Sequence, residues 1–266
     1  MINAVFFDVD GTLKQHHGGG MSDRTRKSLH KLRQKGIKLF VATGRTPFLF
    51  EKVRDRLGFE FDGYIYLNGQ YVEIDGTVVH DMPIPVPEIE KITAYLNEKN
   101  IPCEMAETDY QYRIFDSAAQ YNPTIKVTEM NLSSNPDTPV ESIQRIYNNK
   151  TYQISLFINK KEEAELISHM PELTMARWSE NFTDIIPAGG GKSVGIAKLL
   201  SHIGIAPENA MAFGDGENDI DMLEFVKIGV AMGNANDIVK AAADYVTLPV
   251  LEDGIENALK HFKMID

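Results

Sequence analysis

Asp8-Val9-Asp10-Gly11-Thr12 sets two carboxylates two residues apart at the end of the apolar run Asn3 to Val9. If that run is a strand, a turn after it lets Asp8 and Asp10 face one site. Two neighbouring carboxylates repel each other unless a cation or a proton separates their roles. Mg²⁺, which accepts a few oxygen ligands and keeps several waters, would satisfy them. The same residues could instead form an Asx turn with a capping aspartate. The lone Asp-x-Asp favours that turn; the following Gly-Thr and three further segments shift the balance.

Ala42-Thr43-Gly44-Arg45 follows a second apolar run. A hydroxyl and a glycine-freed backbone amide near a helix N-terminus make a phosphate cradle; alternatively, Thr43 merely caps the next helix. Lys192 comes after Gly189-Gly190-Gly191, which invites a P-loop reading. That pattern requires a glycine five residues before the last one, where Ile186 stands, so the P-loop is excluded. Lys192 is either a surface lysine at a helix start or a cation reaching the same site. Gly214-Asp215-Gly216-Glu217-Asn218-Asp219 could be a surface turn, or could complete an oxygen-rich shell for Mg²⁺ with Asp8. Asp221 reads as a solvated helix charge. His16 and His17 lie on a glycine-rich loop without a clear third ligand and read as solvent-exposed.

These segments need elements to hold them. Asn3 to Val9, Ile37 to Ala42 and Tyr64 to Leu67 read as buried strands. Helices are expected over Asp23 to Lys35, with Ser22 as N-cap and Gly36 as stop, and from about Pro47 to Leu57. Strand, helix, strand, helix, strand predicts a doubly wound α/β sheet, whose ligands bind beyond the carboxyl ends of the strands. Pro83, Pro85 and Pro87 mark an extended linker. Beyond it helices are expected near Glu88 to Lys99, Val140 to Asn148 and Lys160 to Met170. Strands are expected at Tyr152 to Ile158 and Leu173 to Trp178, and a loop at Asn131 to Pro139. After Pro187 the first texture returns, with a helix over Lys192 to Ile203, strands at Ala210 to Phe213 and Lys227 to Met232, and helices near Asp237 and Asp253. One sheet interrupted by an insertion is the economical reading: residues 1–82 and 185–266 form a core, and 83–184 a small α+β module.

Composition narrows the partners. The chain of 266 residues carries 27 Lys plus Arg against 38 Asp plus Glu, a net charge of −11. Nucleic-acid binding neutralises phosphates with Lys and Arg, so so acidic a chain argues against it. A small anionic substrate stays compatible, because a bound cation and local donors can reverse the field. No apolar run approaches the roughly 20 residues that span a bilayer. Cys103, the single cysteine, cannot form an internal disulfide and fits a reducing cytoplasm.

Together the four segments resemble the haloacid dehalogenase superfamily. Asp8-x-Asp10-Gly-Thr matches its first motif, Thr43 its second, Lys192 its third, and Gly214-Asp215-x-x-x-Asp219 its fourth. Ala-Thr-Gly-Arg, the Leu67-Asn68-Gly69 turn and Gly-Asp-Gly-Glu-Asn-Asp are similar to the Cof-like phosphatases with a type IIB cap. The resemblance implies a doubly wound, mostly parallel, Rossmann-like core sheet with an inserted α+β cap. It also implies a Mg²⁺-dependent phosphatase acting on a small phosphorylated metabolite, a sugar phosphate or a phosphorylated cofactor. Asp8 would be the nucleophile that forms an aspartyl phosphate, and Asp10 the general acid and base. Thr43, Gly44 and Lys192 would hold the phosphoryl group, with Asn218 and Asn68 as further contacts. Mg²⁺ would be held by Asp8, the Asp10 carbonyl and Asp215, with Asp219 in support. The presence of Asp10 argues against a dehalogenase, whose halide leaving group needs no proton. A phosphomutase, a phosphonatase or a regulator that binds without turnover are the competing readings. Ser193, where the subgroup often has glycine, is a departure. Tyr112, Arg113, Arg177 and Trp178 are cap candidates for substrate contact, each equally readable as packing or surface.

Overall fold

The computed structural model describes residues 1–16, 18–99, 101, 103–114 and 138–266. These fall into two compact units, Met1–Asp81 with Gly190–Asp266, and Met82–Gly189. The chain opens with β1 (Ala4–Phe7), α1 (Asp23–Gln34), β2 (Lys38–Ala42), α2 (Pro47–Leu57), β3 (Gly63–Tyr66), β4 (Tyr71–Ile74) and β5 (Thr77–Asp81). The middle unit holds α3 (Val86–Lys99), β6 (Cys103–Ala106), β7 (Gln111–Tyr112), β8 (Gln153–Leu156), α4 (Lys160–His169), β9 (Leu173–Arg177) and β10 (Thr183–Pro187). The chain closes with α5 (Lys192–Ile203), β11 (Ala210–Gly214), α6 (Ile220–Phe225), β12 (Ile228–Ala231), α7 (Asp237–Ala242), β13 (Tyr245–Val246) and α8 (Gly254–His261).

The first unit is a doubly wound sheet in the order β13-β12-β11-β1-β2-β3-β4-β5. Strands β13 to β3 run parallel, whereas β4 and β5 turn back as an antiparallel edge. The winding reverses at β1: the chain leaves it towards β2, and the second half returns to its other side as β11. Such a reversal opens a crevice beyond the carboxyl ends of the two strands. The Asp8 loop and the Asp215 loop both emerge there. Burial on both faces explains the apolar runs, since a parallel sheet covered by helices has no polar face. Phe6 stacks on Phe40 and Phe7 on Phe213, with ring centroids 5.1 and 5.2 Å apart. Ile196, Leu199 and Leu200 of α5 close one side of the core.

The helix starts follow local chemistry. Ser22 accepts the N–H of Thr25 and caps α1. Thr46, not Thr43, caps α2 by accepting the N–H of Leu49 at 3.0 Å, and Gly58 ends that helix in the left-handed region. The Thr43 hydroxyl instead accepts the N–H of Arg45 at 3.2 Å.

The second unit is an antiparallel sheet in the order β7-β6-β8-β10-β9. Its core joins Ile89, Ile92 and Leu96 of α3 to Met105, Tyr112, Ile154 and Leu156. Cys103 is buried here, and burial pushes its thiol up to about 12, so it is inert at neutral pH. The helix expected near Val140 to Asn148 is only a short 3₁₀ helix, Ile143–Tyr147, begun by Ser142. Most of the expected Asn131 to Pro139 loop, residues 131–137, lies outside the described residues. Arg177 donates to Glu163 and to the carbonyls of Ile158, Ser179 and Glu180, so it organises the β9–β10 connection. Tyr112 is wholly buried in the apolar core, and Trp178 stacks on Phe182. The guanidinium of Arg113 donates to the Thr138 carbonyl. Among the described residues no helix is long and apolar enough to cross a membrane.

Candidate active site

Asp8 lies just past β1, its N–H bonded to the carbonyl of Phe213 on β11, so main-chain pairing fixes where its carboxylate starts. The loop then closes tightly: Leu13 and Lys14 both donate to the Val9 carbonyl. Gly11 adopts φ +89°, and a Cβ there would lie 2.0 Å from Asp215 Oδ2. Only glycine lets this turn pass so close to the facing carboxylate.

Lys192 is completely buried and joins two acids at once. Its Nζ donates to Asp8 Oδ1 at 2.7 Å and to Asp219 Oδ1 at 2.5 Å. Burial works against its charge, yet Asp219 and Asp8 hold the ammonium above its ordinary range. The surface-lysine alternative is therefore excluded. Asp219 Oδ2 accepts the N–H groups of Asp215 and Gly216 at 2.8 and 2.9 Å, fixing the loop that carries Asp215. Asp215 in turn accepts from Thr12 at 3.0 Å and from Asn234 at 3.2 Å. Burial raises its pKa, against the pull of His16 and Thr12.

Asp8, Asp215 and Asp219 are buried and offer carboxylate oxygens within 4.8 Å of one another. Burial pushes the Asp8 carboxyl up to about 8, with Lys192 opposing and Asp219 and Asp215 reinforcing. Three crowded acids against one buried ammonium leave a deficit of positive charge. An all-oxygen donor set of this kind suits a hard divalent cation such as Mg²⁺.

Asp10 has a different environment. Arg45 grips it with two bonds, Nε to Oδ2 at 2.6 Å and Nη2 to Oδ1 at 3.0 Å. Lys14 Nζ adds a third at 2.6 Å. Burial raises the Asp10 pKa, but the hydrogen bonds and charges of Arg45 and Lys14 outweigh it, and the net shift is downward. Its side chain stands outside the three-acid cluster. The expected contribution of Asp10 to a metal was its main-chain carbonyl.

Thr43, Gly44, Asn68 and Asn218 meet in the turns that follow β2, β3 and β11. Asn68 donates its N–H to the Thr43 carbonyl, and Asn218 Nδ2 donates to Asn68 Oδ1 at 2.9 Å. Leu67 and Asn68 both take left-handed backbone angles, φ +54° and +53°, a conformation asparagine tolerates but leucine holds only under constraint. A Cβ on Gly44 would press against the Asn68 amide at 3.1 Å.

Arg45, Lys14, Asn234 and His16 were missed as site residues by sequence reading. Arg45 stands inside a quoted segment and Lys14 four residues after Asp10, so spacing held a signal for both. Asn234 had none. His16 keeps 46 % of its side chain exposed, as expected, but its Nε2 lies 3.1 Å from Asp215 Oδ2. His17 lies outside the described residues. Asp221 is a correction: far from being solvated, it accepts the N–H of Ser193 at 2.9 Å.

Comparison with known proteins agrees with this geometry. The family model of haloacid dehalogenase-like hydrolases matches residues 5–259. YkrA of Bacillus subtilis (strain 168), provisionally named a phosphatase, is 35 % identical over 263 residues that cover 98 % of each chain. The solved subclass IIB sugar phosphatase BT4131 superposes with a TM-score of 0.86 at 37 % identity, over 99 % of this chain and 100 % of that one. BT1666 from Bacteroides thetaiotaomicron gives 0.88 at 30 % identity, over 100 % and 96 %. A family model spanning nearly the whole chain, with the first and fourth motifs meeting at one buried lysine of the third, places this protein in the haloacid dehalogenase-like hydrolase family.

Proposed function

We propose that the protein is a Mg²⁺-dependent phosphatase that hydrolyses a small phosphorylated metabolite through an aspartyl phosphate on Asp8. The observation that carries this reading is the division of labour between the two aspartates. Asp8 sits against Lys192 in the acid cluster, while Arg45 and Lys14 hold Asp10 apart. Pairs of acids in contrasting environments take the separate roles of nucleophile and acid–base group.

Asp8 attacks phosphorus in line as the carboxylate, the form that Lys192 favours against burial and that a bound cation would favour further, and the bond to the ester oxygen breaks. Asp10 gives its proton to the departing alkoxide. The phosphoryl dianion favours that protonated form on arrival, since nearby negative charge raises a carboxyl pKa. Asp10 then takes a proton from water, which attacks phosphorus and frees Asp8 as a carboxylate. Lys192, Thr43 and Gly44 hold the transferring group, and Asn218 and Asn68 flank it. Asp8, Asp215 and the Asp10 carbonyl would hold Mg²⁺, with Asp219 bracing the Asp215 loop; when bound, the ion offsets charge on the phosphoryl oxygens.

The relatives support two substrate classes. BT4131 is named a sugar phosphatase. YcsE of Bacillus subtilis, 26 % identical over 98 % of this chain and 96 % of its own, is named a 5-amino-6-(5-phospho-D-ribitylamino)uracil phosphatase. A sugar phosphate or a phosphorylated cofactor precursor is thus the proposed substrate, with the Met82–Gly189 unit as the cap that selects it. A cytoplasmic location fits the lone buried thiol. The test is phosphate release from a panel of small phosphoesters, with and without Mg²⁺. Turnover that needs Mg²⁺ is expected; no turnover on any ester would overturn the proposal.

A further inference from the structure

The proposed chemistry leaves an acid just beyond the fourth segment unused. Asp221 stands two residues beyond Asp219, in α6. Its Oδ2 accepts the Ser193 N–H at 2.9 Å, and its Oδ1 is buried without a hydrogen-bond partner among the described residues. Ser193 directly follows Lys192, in the first turn of α5, where N–H groups have no acceptor within the helix. Gly191, the residue in front, supplies no side-chain cap. The cap therefore comes from a different helix.

Glycine makes that approach feasible. Gly191 has φ +145°, and a Cβ on it would lie 2.3 Å from Asp221 Oδ2. Gly69 presses on the same point, since its Cβ would meet the Gly191 carbonyl oxygen at 1.9 Å. Lys192 is thus held at both ends by one stretch of chain, its ammonium by Asp219 and the main chain beyond it by Asp221. Burying a carboxylate with one oxygen unpaired is unfavourable, and here it fixes the helix turn from which Lys192 projects.

We propose that Asp221 is a positioning residue for Lys192: by capping α5 from α6, it fixes the turn from which the ammonium reaches Asp8 and the phosphoryl group. The proposal rests on the role given above to Lys192. A misplacement of about 1 Å in a catalytic arrangement can cost on the order of 100-fold in rate. Loss of the cap should therefore be felt in kcat beyond its effect on folding.

The test is a cycle of wild type, Asp221→Ala, Lys192→Met and the double variant, with Asp221→Asn alongside, read as kcat, KM and thermal melting. Asp221→Ala is expected to lose roughly 10- to 100-fold in kcat with KM nearly unchanged. The double variant should be no slower than Lys192→Met, because groups acting as one unit do not add. Asp221→Asn, which can still accept the bond, should return to within about threefold of wild type. If Lys192→Met leaves no measurable rate, the same cycle is read on calorimetric binding of orthovanadate. If Asp221→Ala is too unstable to assay, Gly191→Ala supplies a second way of displacing the cap. An equal loss from Asp221→Ala with and without Lys192, a loss that tracks only the folded fraction, or failure of Asp221→Asn to rescue would overturn the proposal. Full turnover by Lys192→Met would instead overturn the reading of Lys192, a distinct result.

Discussion

At the scale of single residues, the site is a set of acids kept apart by chosen cations. Arg45 is the largest contributor to the holding of Asp10, through a two-pronged bond that no lysine reproduces. Arg45→Ala should lower kcat by roughly 10- to 100-fold, the range for losing a charged hydrogen-bonded partner, and Arg45→Lys should recover only part of it. Steady-state kinetics on the best substrate of the panel checks both. Gly11 offers a second test. Gly11→Ala drives a methyl group into Asp215, so the Mg²⁺ concentration for half-maximal activity should rise at least about tenfold. An unchanged Mg²⁺ requirement would show that the Gly11–Asp215 approach is not what shapes the ion's place.

At the scale of elements, the sequence was most legible where a strand ends and chemistry begins. Asp8, Thr43 and Asp215 all stand at the carboxyl ends of parallel strands whose apolar runs are unmistakable, because both faces are covered. Less was legible where partners decide. Strands β4 and β5 carry mixed patterns, as do β6, β7 and β10 of the second unit, and β6 and β10 both pair with β8, distant in the chain. Asn234 reaches Asp215 across 19 residues, and Asp221 caps a helix 28 residues away, so local spacing gave no sign of either contact. One element-level consequence concerns pH. On β6, burial pushes the Glu104 carboxyl up to about 7, against the opposing pull of Thr138 and Arg113. A raised carboxyl pKa means that the folded chain keeps a proton the unfolded chain gives up. Stability is therefore full below about 4.5, falls as pH rises towards 7, and stays lower above it by on the order of 3 kcal/mol. Urea unfolding at pH 5 and pH 8 should show Glu104→Gln shedding most of that difference; identical pH dependence in both proteins would contradict it.

At the scale of the whole molecule, a chain of net charge −11 gathers three acids into one buried cluster, so cation binding and folding should be linked. Mg²⁺ at about 100 times its dissociation constant should add about 2.7 kcal/mol of stability, seen as a rise in melting temperature. Asp215→Asn should abolish most of that rise. An equal rise in both proteins would place the ion elsewhere. The insertion between the two halves of the sheet leaves the site's chemistry wholly within the first unit, where Asp8, Asp10, Thr43, Lys192, Asp215 and Asp219 all stand. The claim on which the account turns is the covalent step at Asp8. Its most direct test is an acid-quenched single turnover followed by peptide mapping by mass spectrometry. One phosphoryl group, labile to hydroxylamine, should be found on the peptide carrying Asp8, and Asp8→Asn should show neither adduct nor turnover. An adduct on another residue, or turnover that survives Asp8→Asn, would contradict the account.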